Sequence, residues 1–289
     1  PVHNGTDRII LNPSGETFGV YTEDKFHVYA ANGTLLYELP RENPNQYFKL
    51  IPGSGKVLAA IMSTYSDGEE VSSPRGFKVI ETDGTQSARI SAPDLNTSRL
   101  SRNFFVYTSA KEIIKVGYDG VQAWSHQAAL GKFKVPRAPV VDRIVAVPLA
   151  ASNAKRRIVH LTSGVETHSR DVGEAIFEVA ISPNGIHSAA ITRRMVYIFH
   201  NAVLAAKIPI SAYATASLDV NNLGEVLVGA KNSHEEGTIH LFRPDGAEVF
   251  DDTSGIDDNG FRPWVEFGPS GDDFVVVARQ GVAFYEIAR

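Results

Sequence analysis

Short glycine turns recur along this chain about every forty residues, each closing a hairpin of alternating apolar residues. The second half shows the spacing best: ISPNG ends at Gly185, DVNNLG at Gly224 and FGPSG at Gly271, and an apolar run follows each. Counting back to the NPSG turn that ends at Gly15, the interval to Gly271 divides into six steps of about 43 residues. A period of ~40–45 residues holding four short strands is the mark of a propeller blade. Such a sheet cannot cover its own apolar faces and must lean on its neighbours.

Seven units can be laid out as strand A, turn, strand B, loop, strand C, turn, strand D. In the first, RIIL from Arg8 is strand A, NPSG the turn, FGVYT strand B, FHVYA strand C, Asn32-Gly33 the second turn and LLYELP strand D. Asn-Gly and Asp-Gly supply the positive φ that two-residue hairpins need. A/B turns fall at Gly15, Gly55, Gly185, Gly224 and Gly271, while units three and four lack a glycine there. C/D turns fall at Gly33, Gly84, Gly120, Gly164 and Gly246, with Asn201-Ala202 in that slot of unit five. Unit seven has only WVEF from Trp264, FVVVA and VAFYEI before the chain stops at Arg289. The expected fold is all-β: a seven-bladed β-propeller of four-stranded antiparallel blades, one domain over residues 1–289. Its last blade would be completed by the N-terminal segment Pro1–Thr6, which would cover an otherwise open edge.

The SPNG and PSG turns ahead of apolar strands resemble the SPDG-type repeats of WD40-like bacterial propellers. YDGVQAW, ending at Trp124, resembles the blade ending of quinoprotein-like propellers. The resemblance spans the whole chain and implies the superfamily's fold. It leaves activity open, because the Gly-His and Trp-Asp dipeptides of WD40 repeats proper, the Asp box of sialidases and the double glycines of kelch repeats do not occur.

Composition narrows the partners. A net charge of −5 and a pI near 6.0 give no global attraction for nucleic acid or an anionic bilayer. No run approaches the ~18 apolar residues of a membrane span. With no cysteine, the chain forms no disulfide, thiolate zinc site or thiol nucleophile. A cysteine-free chain rich in Asn, Thr and Ser fits a bacterial periplasm or cell surface. The chain starts at Pro1 and its methionines are Met62 and Met195, so a processed or excised N-terminus is expected.

The loop between strands B and C is tight in units one, three, five and seven, and long in two, four and six. The long ones are STYSDGEEVSSPRG from Ser63, AASNAKRR from Ala150 and KNSHEEG from Lys231. In a propeller the B/C loops share one rim, and insertions collected there mark a binding face. Candidate contact residues for a protein partner are Tyr65, Asp67, Glu69, Glu70, Arg75, Lys155, Arg156, Arg157, His234, Glu235 and Glu236. The expected function is a monomeric, non-catalytic interaction platform without a cofactor.

A rival reading starts from strand A, which lines a propeller's channel. Arg8, Lys49 and Lys134 fall on units one, two and four, and Glu178, Asp219 and Glu266 on units five, six and seven. Three converging carboxylates would suit Ca²⁺ and a lactonase- or esterase-like hydrolysis, with the metal as Lewis acid. A small-molecule sensor domain is a third reading. Other signals read as structure. DDTSGIDDNG from Asp251 lacks the order of a calcium loop. The nine histidines show no zinc spacing, and His27, His160, His200 and His240 each sit in a strand C. Gly53-Ser54-Gly55 is a turn rather than a nucleophile elbow, and Asn32, a sequon residue like Asn4 and Asn96, is a hairpin residue. Trp124 and Trp264 are expected to pack between blades.

Overall fold

A computed structural model describes residues 8–12, 15–42, 46–64, 70–91, 97–109, 112–127, 130–134, 142–148, 156–211, 213–232, 237–252, 263–278 and 281–288. These residues form 27 strands and no helix, so no helix is long and apolar enough to cross a membrane. They fall into two compact units, residues 1–128 and 129–289.

The first unit holds three antiparallel sheets of four strands, each ordered as in the chain. The first is β1 (Ile9–Leu11), β2 (Thr17–Tyr21), β3 (Lys25–Ala30) and β4 (Leu35–Pro40). The second is β5 (Phe48–Leu50), β6 (Val57–Thr64), β7 (Glu70–Ile80) and β8 (Gln86–Ser91). The third is β9 (Thr97–Leu100), β10 (Phe104–Thr108), β11 (Ile113–Gly117) and β12 (Gln122–His126).

The second unit holds four sheets. The fourth sheet of the chain is β13 (Leu130–Lys134), β14 (Arg143–Pro148), β15 (Arg157–Thr162) and β16 (Val165–Asp171). The fifth is β17 (Ile176–Ile181), β18 (His187–Thr192), β19 (Met195–His200) and β20 (Val203–Pro209). The sixth is β21 (Tyr213–Val220), β22 (Val226–Asn232), β23 (Gly237–Phe242) and β24 (Glu248–Asp252). The last has three strands, β25 (Trp264–Phe267), β26 (Asp273–Ala278) and β27 (Gly281–Glu286). The donor expected for a fourth strand, Pro1–Thr6, lies outside the described residues.

Strand position within a sheet decides the residue pattern. Middle strands are covered on both faces and read as continuous apolar runs: all five residues of β10, FFVYT, are buried. The outer strand β20, VLAAKIP, alternates between exposed and partly covered positions. Among the described residues, five buried clusters each join two consecutive sheets. Phe26, Val28 and Leu39 of the first meet Phe48, Leu50 and Val57 of the second, with the Phe26 and Phe48 rings stacked at 4.6 Å. Sheets two and three, four and five, five and six, and six and seven are paired in the same way.

The turns follow the expected positions with one correction. Gly15, Gly185, Gly224 and Gly271 all take positive φ. In the second sheet the left-handed residue is Gly53 (φ 68) and not Gly55, because the turn opens at Ile51, whose carbonyl accepts from the Ser54 amide. The third sheet needs no glycine: a short link returns the Ser101 amide to the Phe104 carbonyl at 2.9 Å. Asn201 (φ 48) and Ala202 (φ 67) form the fifth sheet's C/D turn as expected.

Asparagine ties successive A/B turns together. Asn12 Nδ2 donates to the Ile51 and Ser54 carbonyls, each at 3.2 Å. The Asn184 amide donates to Asn222 Oδ1 at 2.8 Å, and Asn221 Nδ2 to the Gly271 carbonyl at 3.1 Å.

Two packing expectations change. Trp124 is half-buried, whereas Trp264, at the first position of β25, is exposed. Asp251 and Asp252 continue β24, paired with His240 and Ile239, rather than opening an acidic loop.

Candidate interaction site

The odd-numbered B/C connections are tight for a chemical reason. Thr22, Ser109 and Thr192 close them by accepting through their hydroxyls from the amides of Lys25, Glu112 and Met195 at 3.2, 3.2 and 3.1 Å. A Ser or Thr three or four residues ahead of strand C was the sequence signal for these turns.

The second sheet departs from this plan in the opposite direction. Much of the expected loop STYSDGEEVSSPRG is itself strand: β6 runs to Thr64 and β7 starts at Glu70, pairing Thr64 with Glu70 and Met62 with Pro74. The flanking strands do not follow. β5 pairs with β6 only as far as Ala59, and β8 meets β7 only from Gly76 onward. Residues 61–64 and 70–75 therefore form a two-stranded arm beyond the body of the sheet. Two register shifts, at Ile61/Met62 and Met62/Thr64, increase its twist.

Among the candidate contact residues, Glu70 lies on β7 and Arg75 is exposed where the arm joins the sheet. Tyr65, Asp67 and Glu69 lie outside the described residues, as do Lys155, His234, Glu235 and Glu236. In the second unit Arg156 and Arg157 are exposed at the start of β15. Arg157 is already engaged, its guanidinium donating to Glu166 and, at 2.8 Å, to Ser169 Oγ.

The carboxylates expected to share a metal do not converge. Among the described residues no group of three or more His, Asp or Glu side chains could hold an ion. Asp219 Oδ2 instead accepts from the Phe267 amide on β25 at 2.9 Å, and Glu178 Oε1 accepts from the Val179 amide at 3.2 Å. Asp219 and Glu178 thus each meet a backbone amide. Lys49 has a different fate: burial first, and then Arg99, pull its ammonium down to about 8. Arg8 is exposed at the start of the first sheet.

Two of the strand-C histidines are structural. His160 is buried, with Nε2 against Ser188 Oγ at 2.9 Å and its ring edge-on to Phe199. His240 bridges the Tyr213 hydroxyl at 2.6 Å and Glu248 at 2.5 Å.

No protein-family model matches the chain, and no curated protein matches it. Solved structures do. The chain is similar to Kluyveromyces lactis Hsv2 with its loop 6CD replaced by a Gly-Ser linker: 11% identity, TM-score 0.70, over 97% of this chain and 93% of that one. Hsv2 of Kluyveromyces marxianus gives 12% identity and a TM-score of 0.67, over 97% and 92%. KlAtg21, solved in complex with the coiled coil of AgAtg16, gives 13% and 0.69, over 97% and 94%. The fold is a seven-bladed β-propeller. At these identities the likeness carries the fold and nothing more. The seven sheets are its blades.

Proposed function

We propose that this propeller is a non-catalytic platform that binds a protein partner. The observation that carries the reading is the β6–β7 arm, which outruns its flanking strands in the second blade and so offers backbone edges and an acidic tip sequence, Asp67 to Glu70. An extended hairpin of this kind recognises partners by strand addition and by the side chains alternating along it. The B/C connections of blades four and six, with Lys155, Arg156, Arg157, His234, Glu235 and Glu236, form a further candidate surface in the second unit. One solved neighbour, KlAtg21, is a propeller in complex with a coiled coil, which supports a protein as the class of partner. The carboxylates' separate roles support a platform over a hydrolase. The yeast neighbours lend nothing to a bacterial or periplasmic setting, which rests on composition alone.

The arm is testable by shortening it. Replacing residues 62–74 with a two-residue Asn-Gly turn should leave the melting temperature within a degree or two and remove at least one protein from the set captured from the native organism. An unchanged captured set, with the shortened protein folded, overturns the arm as the binding element.

A further inference from the structure

His187 and His200 face each other across the fifth blade, as the opening pair of β18 and the closing pair of β19. Their rings are tilted, with centroids 4.8 Å apart, and the two Nδ1 atoms are 3.4 Å from one another. That spacing is longer than an ordinary N–H hydrogen bond, whose range is about 2.7–3.2 Å. It equals the bite of a tetrahedral metal centre: two imidazole nitrogens at about 2.0–2.1 Å from one ion, at the tetrahedral angle, stand about 3.3–3.4 Å apart.

The surroundings favour such a site. His200 is exposed, so an ion can enter and keep water ligands, while half-buried His187 is held on a strand. Gly224, in the neighbouring blade's turn at φ +82, packs against the His187 imidazole, where any Cβ would overlap the ring, and so helps to hold that ring in place. Behind His200, by contrast, lies a hydrogen-bonded pair that an incoming ion has to displace. Arg143 Nη1 donates to Asn201 Oδ1 at 2.8 Å, which fixes that amide so that Asn201 Nδ2 faces His200 Nε2 at 3.0 Å.

We propose that His187 and His200 together form a two-histidine site for a borderline divalent transition-metal ion of the zinc class. Both rings ligate through Nδ1, and water fills the remaining positions. In the metal-free protein Asn201 makes His200 Nε2 an acceptor, so the His200 proton sits on Nδ1 and points at His187. Coordination displaces that proton; it passes through solvent to Nε2, the ion takes the lone pairs of both Nδ1 atoms, and the Asn201 amide gives way. The native second shell thus opposes binding, and an acceptor at position 201 would favour it, as carboxylates behind metal-bound imidazoles do. Sequence spacing could not reveal the pair, because thirteen residues and a hairpin separate its members.

The test is calorimetric titration of the chelator-stripped full chain with zinc chloride. One equivalent should bind. His200→Ala, an exposed change, should weaken binding by about 10- to 100-fold, and Asn201→Asp should tighten it by about tenfold. Absence of binding, a His200→Ala isotherm equal to that of the unaltered chain, or an Asn201→Asp isotherm weaker than it, each overturns the site. Unchanged melting of both variants without metal certifies that the readout is coordination and not folding.

Discussion

Asn221 is nearly inaccessible and spends all its hydrogen-bonding capacity. Its Nδ2 donates to Glu225 at 2.6 Å and to the Gly271 carbonyl of the next blade, while Oδ1 accepts from the amides of Leu223 and Glu225 at 3.0 Å each. Asn221→Ala removes four bonds and strands buried partners, at a cost of about 2–3 kcal/mol measured by denaturant unfolding. Asn221→Asp keeps both acceptor contacts, loses the donor and sets a second carboxylate beside Glu225, so it should also destabilise. From the sequence, the residue was legible only as the first asparagine of a glycine turn. Nothing in one unit's spacing announces a bond that crosses to the next.

Elements were the most readable level, because hairpin chemistry is local. Gly15, Gly185, Gly224 and Gly271 sit at positive φ where alternation and turn residues placed them. The error at Gly55 arose where two glycines flank one serine and only the backbone bond from Ser54 to Ile51 chooses between them. The arm was misread as a loop because Ser, Gly and Pro read as breakers, whereas pairing of Met62 with Pro74 carries the strand through them. The rival set of channel carboxylates shows a subtler limit: sharing strand A does not make side chains point at one another, and Asp219 and Glu178 each accept from a backbone amide. Ala202 offers a test at this scale. Its φ of 67 costs an L-residue about 1–2 kcal/mol, and glycine there removes the cost while adding about 0.4–1 kcal/mol of unfolded-state entropy. Ala202→Gly should therefore stabilise by about 0.5–1 kcal/mol, seen as a higher denaturant midpoint at constant slope.

For the whole molecule, acid stability turns on a buried imidazole. Burial, then His168 and Arg143, push His160 from 6.5 down to about 4. Between those values the unfolded chain holds a proton that the folded one rejects, so stability rises with pH across this window and is lost as pH falls through it. The loss is on the order of 3 kcal/mol. Melting temperatures from pH 7 to pH 4 should fall more steeply for the unaltered protein than for His160→Gln, which keeps a polar group toward Ser188 but does not titrate; parallel slopes would refute the assignment.

The three-stranded seventh blade has a colligative consequence. Among the described residues β27 pairs with β26 alone, and Val282 and Phe284 are 57% and 83% exposed along it. A ribbon with one unmatched row of amides and carbonyls and a greasy flank is a template for any extended peptide that drifts past. Wherever that row is left uncovered, crowding will drive molecules to zip onto one another along this strand.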